Sequence, residues 1–382
     1  MTIKIAINKH KGLNILGINS GTSGDGLDMA LVRFEFGRHP EVIAADTYVY
    51  DKRFSSRIIA AGERKYNDGQ GWLNLDARLG DMIGKMAASF IAGLAKKGHK
   101  VDLITSHGQT VRHLPDGKGH TITYQVGDAS IISALNKLPV VSDFRRSDTA
   151  AGGQGAPLSP ILHEYLFRHR TRWRAILNIG GIANITVLPP TNSVKCAFAS
   201  DCGPGNMLIN LASQKFLGKP FDKDGRAAIT GMPDVKSISR LMKMPFFKKL
   251  PPKSTGRELF GSDLFKQFIT QFRGRDKFEI ISTLSEFTVT AISDFILHYC
   301  PMIKELYCCG GGAHNNYLLR RLSERFPDIF IETTSCLDYD PDYLEAVLWA
   351  YLGFLHINGR KIDAQNYTGA KHPYIPGKLC YP

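Results

Sequence analysis

Three glycine-rich segments are the places where this sequence could grip a phosphate chain: SGTSGDG at 20–26, NIGGIAN at 178–184 and CGGGAHN at 309–315. A turn without side chains exposes backbone N–H groups, and several converging N–H groups make an anion site. Two such turns could pinch a triphosphate, although each alone also reads as a plain tight turn. The chain has neither a GxxxxGKS/T loop nor a GxGxxG followed by a ribose-binding acid. That argues against P-loop enzymes and dinucleotide oxidoreductases.

Two acids stand out. Asp201 precedes CGPGN, whose glycines flank a proline and leave room for water and a small substrate. The same carboxylate could instead cap the helix begun by GNMLINLASQKF. Glu345 opens the apolar stretch LEAVLWAYLGFLHI, where an acid in the first turn also serves the helix dipole. Arg145, in DFRRSD, offers a planar fork for a carboxylate or phosphate. Its neighbour Arg146 reads as a solvated cation, and Asp148 as a support for the loop. His107 and Thr110 close the apolar run VDLITSHGQT and could bond a sugar or orient a loop; His107 is given no acid–base role. Gln154, in GGQGAP, adds one amide on a backbone that a ligand can approach.

These side chains need strands and helices to hold them. Residues 13–18 and 27–36 read as strands joined by the first glycine turn, and 173–190 repeats strand, glycine turn, strand. The restart, about 165 residues further on, suggests a duplicated architecture in which each lobe opens with a hairpin. Residues 77–95 recur apolar at helical spacing, and 101–110 reads as a buried strand ending in a polar loop. At the third glycine site a strand runs into Gly310, Gly311 and Gly312 and then into a helix carrying Leu318, Leu319 and Leu322. Residues 344–357 form a buried helix. The expected division is an N-terminal lobe, 1–142, and a C-terminal lobe, 143–357, with about 358–382 packing back on the first.

The chain of 382 residues is long enough for two cores, and its 43% apolar and 22% charged residues exclude wholesale disorder. No unbroken apolar run reaches the ~18 residues of a membrane span, and the first residues lack a signal-peptide core, so a soluble protein is expected. Seven cysteines with no C-x-x-C pair read as reduced thiols of the cytoplasm. The net charge of +13 would suit a polyanion. The basic residues are scattered, however, with RHRTRWR (168–174) and KMPFFKK (243–249) the densest clusters. No nucleic-acid partner is expected.

The order hairpin, hairpin, strand-GGG-helix resembles the sugar kinase, heat-shock ATPase and actin superfamily, whose two α/β lobes, each a mixed sheet flanked by helices, clamp ATP. Within it the chain resembles the anhydro-N-acetylmuramic acid kinases. The matching motifs run in order: GTSGDGLD (21–28), SHGQT (106–110), DFRRSD (143–148), GGQGAPL (152–158), NIGGIANIT (178–186), DCGPGN (201–206), FDKDGRAAITG (221–231), PPKSTGRELF (251–260), CGGGAHN (309–315), EAVLWA (345–350) and NYTGA (366–370). Three positions depart from the family's usual pattern: Asn19 for Met, Cys202 for Thr and Trp349 for Phe.

The resemblance implies ATP-dependent opening of 1,6-anhydro-N-acetylmuramic acid by water, with phosphorylation of O6, in cell-wall recycling. It makes Asp201 the base, and Glu345 a second carboxylate that holds the attacking water or the sugar. Arg145 would take the lactyl carboxylate, with Thr110, His107 and Gln154 beside the sugar. ATP phosphates would lie on Gly21, Thr22, Ser23, Gly24, Asp25, Gly26, Leu27 and Asp28 and on Gly180 with Gly181. Gly310, Gly311 and Gly312 would run under the adenosine. Mg2+ accompanies the triphosphate, with Asp25 and Asp28 as outer-shell candidates and no direct ligand assigned. A cytoplasmic homodimer without membrane contact is implied. The competing readings are a sugar or nucleotide sensor without turnover and an ATPase that moves lobes for a protein partner.

Overall fold

The computed structural model describes residues 12–21, 24, 26–62, 69–114, 121–272 and 274–382. The chain forms β1 (Leu13–Ser20), β2 (Gly26–Phe34), β3 (Glu41–Val49), α1 (Lys52–Gly62), α2 (Gly69–Lys96), β4 (Leu103–Leu114), β5 (Ile122–Val126), α3 (Ala129–Asn136), β6 (Val140–Ser142), α4 (Phe144–Ala150) and α5 (Ser159–Phe167). It continues through β7 (Arg174–Ile179), β8 (Ile182–Leu188), β9 (Phe198–Pro204), α6 (Met207–Leu217), α7 (Arg226–Thr230), α8 (Val235–Leu241), α9 (Arg257–Phe260), α10 (Ser262–Gln271), α11 (Lys277–Tyr299), β10 (Glu305–Cys309), α12 (Asn316–Arg325) and β11 (Phe330–Thr333). It ends with α13 (Leu344–Ile357), α14 (Gln365–Thr368) and β12 (Lys378–Cys380).

Two compact units result, one of residues up to Leu162 with Tyr343–Pro382, the other of His163–Asp342. The divisions fall at 162 and 342 rather than at 142 and 357. The reason lies in packing that sequence periodicity does not carry: α13 lies on β1, β2 and β4, and α4 lies against β5. Arg145 and Glu345 therefore belong with the first hairpin. The last strand, β12, pairs antiparallel with β6, Leu379 opposite Val141.

The first unit's sheet runs β12-β6-β4-β1-β2-β3, with β5 on β4; the second unit's runs β11-β10-β7-β8-β9. In each, a glycine hairpin joins two antiparallel strands (β1–β2, β7–β8), a third antiparallel strand follows, and two parallel strands extend the other side; the first sheet adds β5 and β12, both antiparallel. The duplication inferred from the repeated hairpins is thus one of topology. Central strands flanked on both faces are largely apolar, and β1 from Ile15 to Ser20 and all of β10 are buried, with Asn19, Ser20 and Glu305 the polar members. The edge strand β3 carries Glu41, Asp46 and Thr47 outward, which blunts an otherwise adhesive edge.

In the first unit, α2 lays Leu75, Leu79, Ile83, Ala87, Phe90 and Leu94 onto the sheet at helical spacing. In the second, α11 is capped by Asp276, which accepts from Phe278 N at 2.8 Å, and its length and apolarity are those of a membrane span. It is buried in that unit's core, where Thr288 Oγ1 donates to Gly205 O at 2.8 Å and so fixes the CGPGN segment.

The approach of α13 to β1 depends on one glycine. A Cβ on Gly17 would fall on the Ala346 carbonyl, so only glycine lets the helix start sit against the end of β1. Gly17→Ala is expected to destabilise the chain by about 2–3 kcal/mol through overpacking. Gly93→Ala, on an exposed stretch of α2 with nothing within 4 Å, is the control and is expected to be neutral or slightly stabilising. Denaturant midpoints of the two variants check this.

Candidate active site

In the first unit Asn19, His107 and Arg145 meet at Trp349, and Glu345 joins them through Asn19. Asn19, at the end of β1, donates Nδ2 to Glu345 Oε2 at 2.9 Å, and Trp349 Nε1 donates to Asn19 Oδ1 at 2.9 Å. The indole stacks on His107 with centroids 4.1 Å apart and planes 11° from parallel, and on Phe144 at 5.4 Å. Arg145 donates Nε to His107 Nε2 at 2.8 Å and Nη1 to Gly155 O at 3.0 Å, with its guanidinium 5.8 Å from the Trp349 ring. Burial lowers the Arg145 pKa, and the Glu345 and Asp148 carboxylates oppose that.

His107 and Thr110 lie inside β4, which runs on to Leu114 instead of ending at residue 110. Gly108, at φ +69°, breaks the pleat so that the strand can bend and pair with β5. Thr110 Oγ1 accepts from Gln125 Nε2 at 3.3 Å. Burial, and then the Arg145 cation, push the His107 imidazole well below its usual range, so it stays neutral. Because Nε2 accepts from arginine, Nδ1 carries the proton. His107 therefore holds the arginine fork.

The loop support expected of Asp148 is extensive. Its buried carboxylate accepts from Gly155 N at 2.6 Å, Thr368 Oγ1 at 2.7 Å and Tyr374 OH at 2.7 Å. Gln154 N donates to Thr368 O at 2.8 Å, which leaves the Gln154 side chain exposed. The NYTGA segment is thus the far wall of the GGQGAP loop, a partnership across more than 200 positions that no local pattern announces.

In the second unit, Asp201 lies within β9, opposite Asn184, and not at a helix cap. The following helix, α6, has Asn206 at its cap position. Asp201 N donates to Lys253 O at 2.9 Å, and Thr255 N donates to Asp201 Oδ2 at 2.8 Å. Burial outweighs these bonds and raises the Asp201 pKa to about 6. The PPKST loop that supplies them is pinned twice. Lys253 N donates to Ser200 Oγ at 3.0 Å, and Lys253 Nζ sits among Phe246, Phe295, Tyr299 and Phe247, 4.6–6.0 Å from their ring centres. Lys253, in the PPKSTGRELF motif, is the anchor of the loop that holds Asp201.

The glycine sites differ in what they leave free. In the first hairpin, Gly21 O accepts from Gly24 N at 3.0 Å, Gly26 backs onto Tyr48, Leu27 is in the core, and Asp28 Oδ1 accepts from Thr47 Oγ1 at 2.9 Å. Thr22, Ser23 and Asp25 lie outside the described residues. In the second, the Gly180 and Gly181 carbonyls accept from Asn206 N at 2.8 Å and Gly205 N at 2.9 Å, tying the turn to the segment after Asp201. At the third, Cβ atoms on Gly310 and Gly312 would strike the end of β7, whereas Gly311 faces open space. Gly311 is the one able to pass beneath a ligand.

Two α/β units of one plan, each opening on a glycine hairpin and each carrying an oriented carboxylate, describe a kinase-type phosphotransferase. The model of the anhydro-N-acetylmuramic acid kinase family matches residues 13–382, and the chain belongs to that family. A protein of that name from Shewanella sp. (strain ANA-3) is 40% identical over 367 residues, covering 95% of this chain and 97% of that protein. Another, from Xanthomonas axonopodis pv. citri (strain 306), is 38% identical over 372 residues, covering 96% and 97%. The mixed α/β lobes expected from the sequence are those observed.

Asp148→Ala would leave the Gly155 N–H and the Tyr374 hydroxyl without their acceptor, and Thr368 Oγ1 with only Ala364 O at 3.2 Å. A loss of about 3–5 kcal/mol is expected in denaturant unfolding, against about 1 kcal/mol for Tyr374→Phe.

Proposed function

We propose that the chain is an ATP-dependent kinase that opens 1,6-anhydro-N-acetylmuramic acid with water and phosphorylates O6, in peptidoglycan recycling. The observation that carries the reading is Asp201: a carboxylate held by Thr255 N–H, with its pKa raised to about 6, is a base poised near neutral pH in a chain of this family.

Water attacks the anomeric carbon as Asp201 takes its proton. The bond from that carbon to O6 breaks, and O6 captures the γ-phosphoryl group, so N-acetylmuramic acid 6-phosphate and ADP leave. Because the phosphoryl group receives the leaving oxygen, no second carboxyl is needed as an acid. Glu345 is assigned to the attacking water or the sugar. Arg145, aimed by His107, is assigned to the lactyl carboxylate, with Thr110 and Gln154 at sugar hydroxyls. The two hairpins, Gly21–Asp28 and Gly180–Gly181, are assigned to the phosphates and Gly311 to the adenosine side, with Gly310 and Gly312 as its packing.

Mg2+ would arrive on the triphosphate and neutralise its charge. Among the described residues no group of three or more acidic, His or Cys side chains could hold an ion alone, and Asp28 already accepts from Thr47. That donor set fits an outer-shell role for Asp28 on a phosphate-borne cation.

The test is incubation with ATP, Mg2+ and the anhydro sugar, following ADP and a 6-phosphorylated reducing sugar. ADP formed equally without sugar would favour the ATPase reading. The base must be ionised, so kcat/KM is expected to fall as pH drops through about 6. Asp201→Asn is expected to lower turnover about a thousandfold while ADP still binds.

Stability moves the other way. The Asp201 pKa is raised in the folded chain, so ionisation disfavours folding above about pH 6 and not below its ordinary value of 3.8. At about 1.4 kcal/mol per pKa unit the cost at neutral pH is on the order of 2–3 kcal/mol. Asp201→Asn is therefore expected to melt a few degrees higher than the parent at pH 8 and to lose that advantage below about pH 4.

A further inference from the structure

Glu345 occupies an unusual setting for an acid in the first turn of a helix. No side chain caps α13, whose cap position is Tyr343, and the carboxylate reaches sideways to the next element, to the amide of Asn19. The residue is exposed, so its partner decides where its oxygens sit. Asn19 is 3% exposed and fixed by the strand pairing of β1 with β2, where it lies opposite Asp28.

An amide can turn end for end, and here chemistry permits one orientation. The indole Nε1–H of Trp349 is a donor only, so the atom it meets must be Oδ1. Nδ2 then necessarily faces Glu345, whose carboxylate oxygen is an acceptor. Trp349 is itself immobile: it is 2% exposed and stacked on both His107 and Phe144. It stands four residues after Glu345 on the same face of α13, so the chain from indole to amide to carboxylate closes on one helix. The Gly17 approach to Ala346 sets the distance between the two elements. Among the described residues Glu345 Oε1 has no hydrogen-bond partner and remains for a ligand.

We propose that Asn19 is a positioning residue for Glu345, locked in its working orientation by Trp349. The pair removes the rotational freedom of an exposed carboxylate and presents Oε1 in one direction. The same indole face carries His107 and through it Arg145, so one buried ring sets both the acid and the arginine fork. This assignment rests on the proposed role of Glu345 in turnover.

The experiment is a kinetic double-mutant cycle on the full chain, with ATP, Mg2+ and the anhydro sugar, alongside melting curves of each variant. Asn19→Leu, with the same branching and number of heavy atoms but unable to bond, is expected to lower kcat about 10–100-fold while leaving KM for ATP unchanged. Trp349→Phe keeps the stack but frees the amide, and is expected to lower kcat about 3–10-fold. In a Glu345→Gln background, Asn19→Leu is expected to change kcat by less than about twofold, because the group it acts through is already altered. Losses that multiply across the cycle would overturn the proposal, since a merely structural role gives additive effects. So would folded Asn19→Leu or Trp349→Phe protein with parental kcat. If Glu345→Gln alone retains parental kcat, the role of Glu345 is what fails, and the positioning role fails with it.

Discussion

Keeping an ionisable carboxylate inside a β-strand is the constraint around which the second unit is arranged. Asp201 in β9 is buried enough to raise its pKa to about 6, and burial of that kind is tolerated only where polar partners remain. The unit meets this demand with one loop. Lys253 closes the backbone of β9 through its carbonyl, Thr255 gives an N–H to the carboxylate, and the lysine ammonium is held in a box of aromatic rings. The glycine hairpin at 180–181 is bonded to the segment that follows Asp201, which ties the turn to the carboxylate's strand. A carboxylate that is costly to ionise in the folded chain also has a proton affinity near neutral pH, so under the proposed base role stability and activity pull in opposite directions at this residue.

The first unit solves a different problem, that of orienting a half-buried arginine. Arg145 is aimed by a neutral histidine, and the histidine is held by a stacked indole. The loop on the other side of Arg145 hangs on the buried carboxylate of Asp148, which also gathers Thr368 and Tyr374 from the end of the chain. Specific contacts of this kind give little net stability when intact and a large loss when one member is removed.

Both hairpins, the helix at 344–357 and the mixed α/β character could be read in the sequence, because glycine turns between apolar runs and helical periodicity are local signals. The end of β4 could not. Polar SHGQT looks like a loop, yet a single left-handed glycine bends the strand and lets it continue against β5. The division of the chain was misplaced for a related reason: α13 belongs with a strand more than 300 residues earlier, through a contact that depends on Gly17 having no side chain. Of the candidate residues, Asp201, Glu345 and Arg145 were visible as charged groups in glycine-rich or apolar surroundings. Asn19 and Trp349 were visible only as departures from a pattern, and that they meet in one hydrogen bond is a fact of three dimensions. Lys253 and Thr255 carry no mark in the sequence of their service to Asp201.

The measurement that bears most directly on the account is an NMR titration of the aspartate side-chain carboxyl carbons in the labelled protein, with Asp201 assigned by the disappearance of its signal in the Asp201→Asn variant. The account predicts a resonance that titrates near pH 6. An Asp201 carboxyl titrating at about 4, as in an unperturbed aspartate, would contradict it.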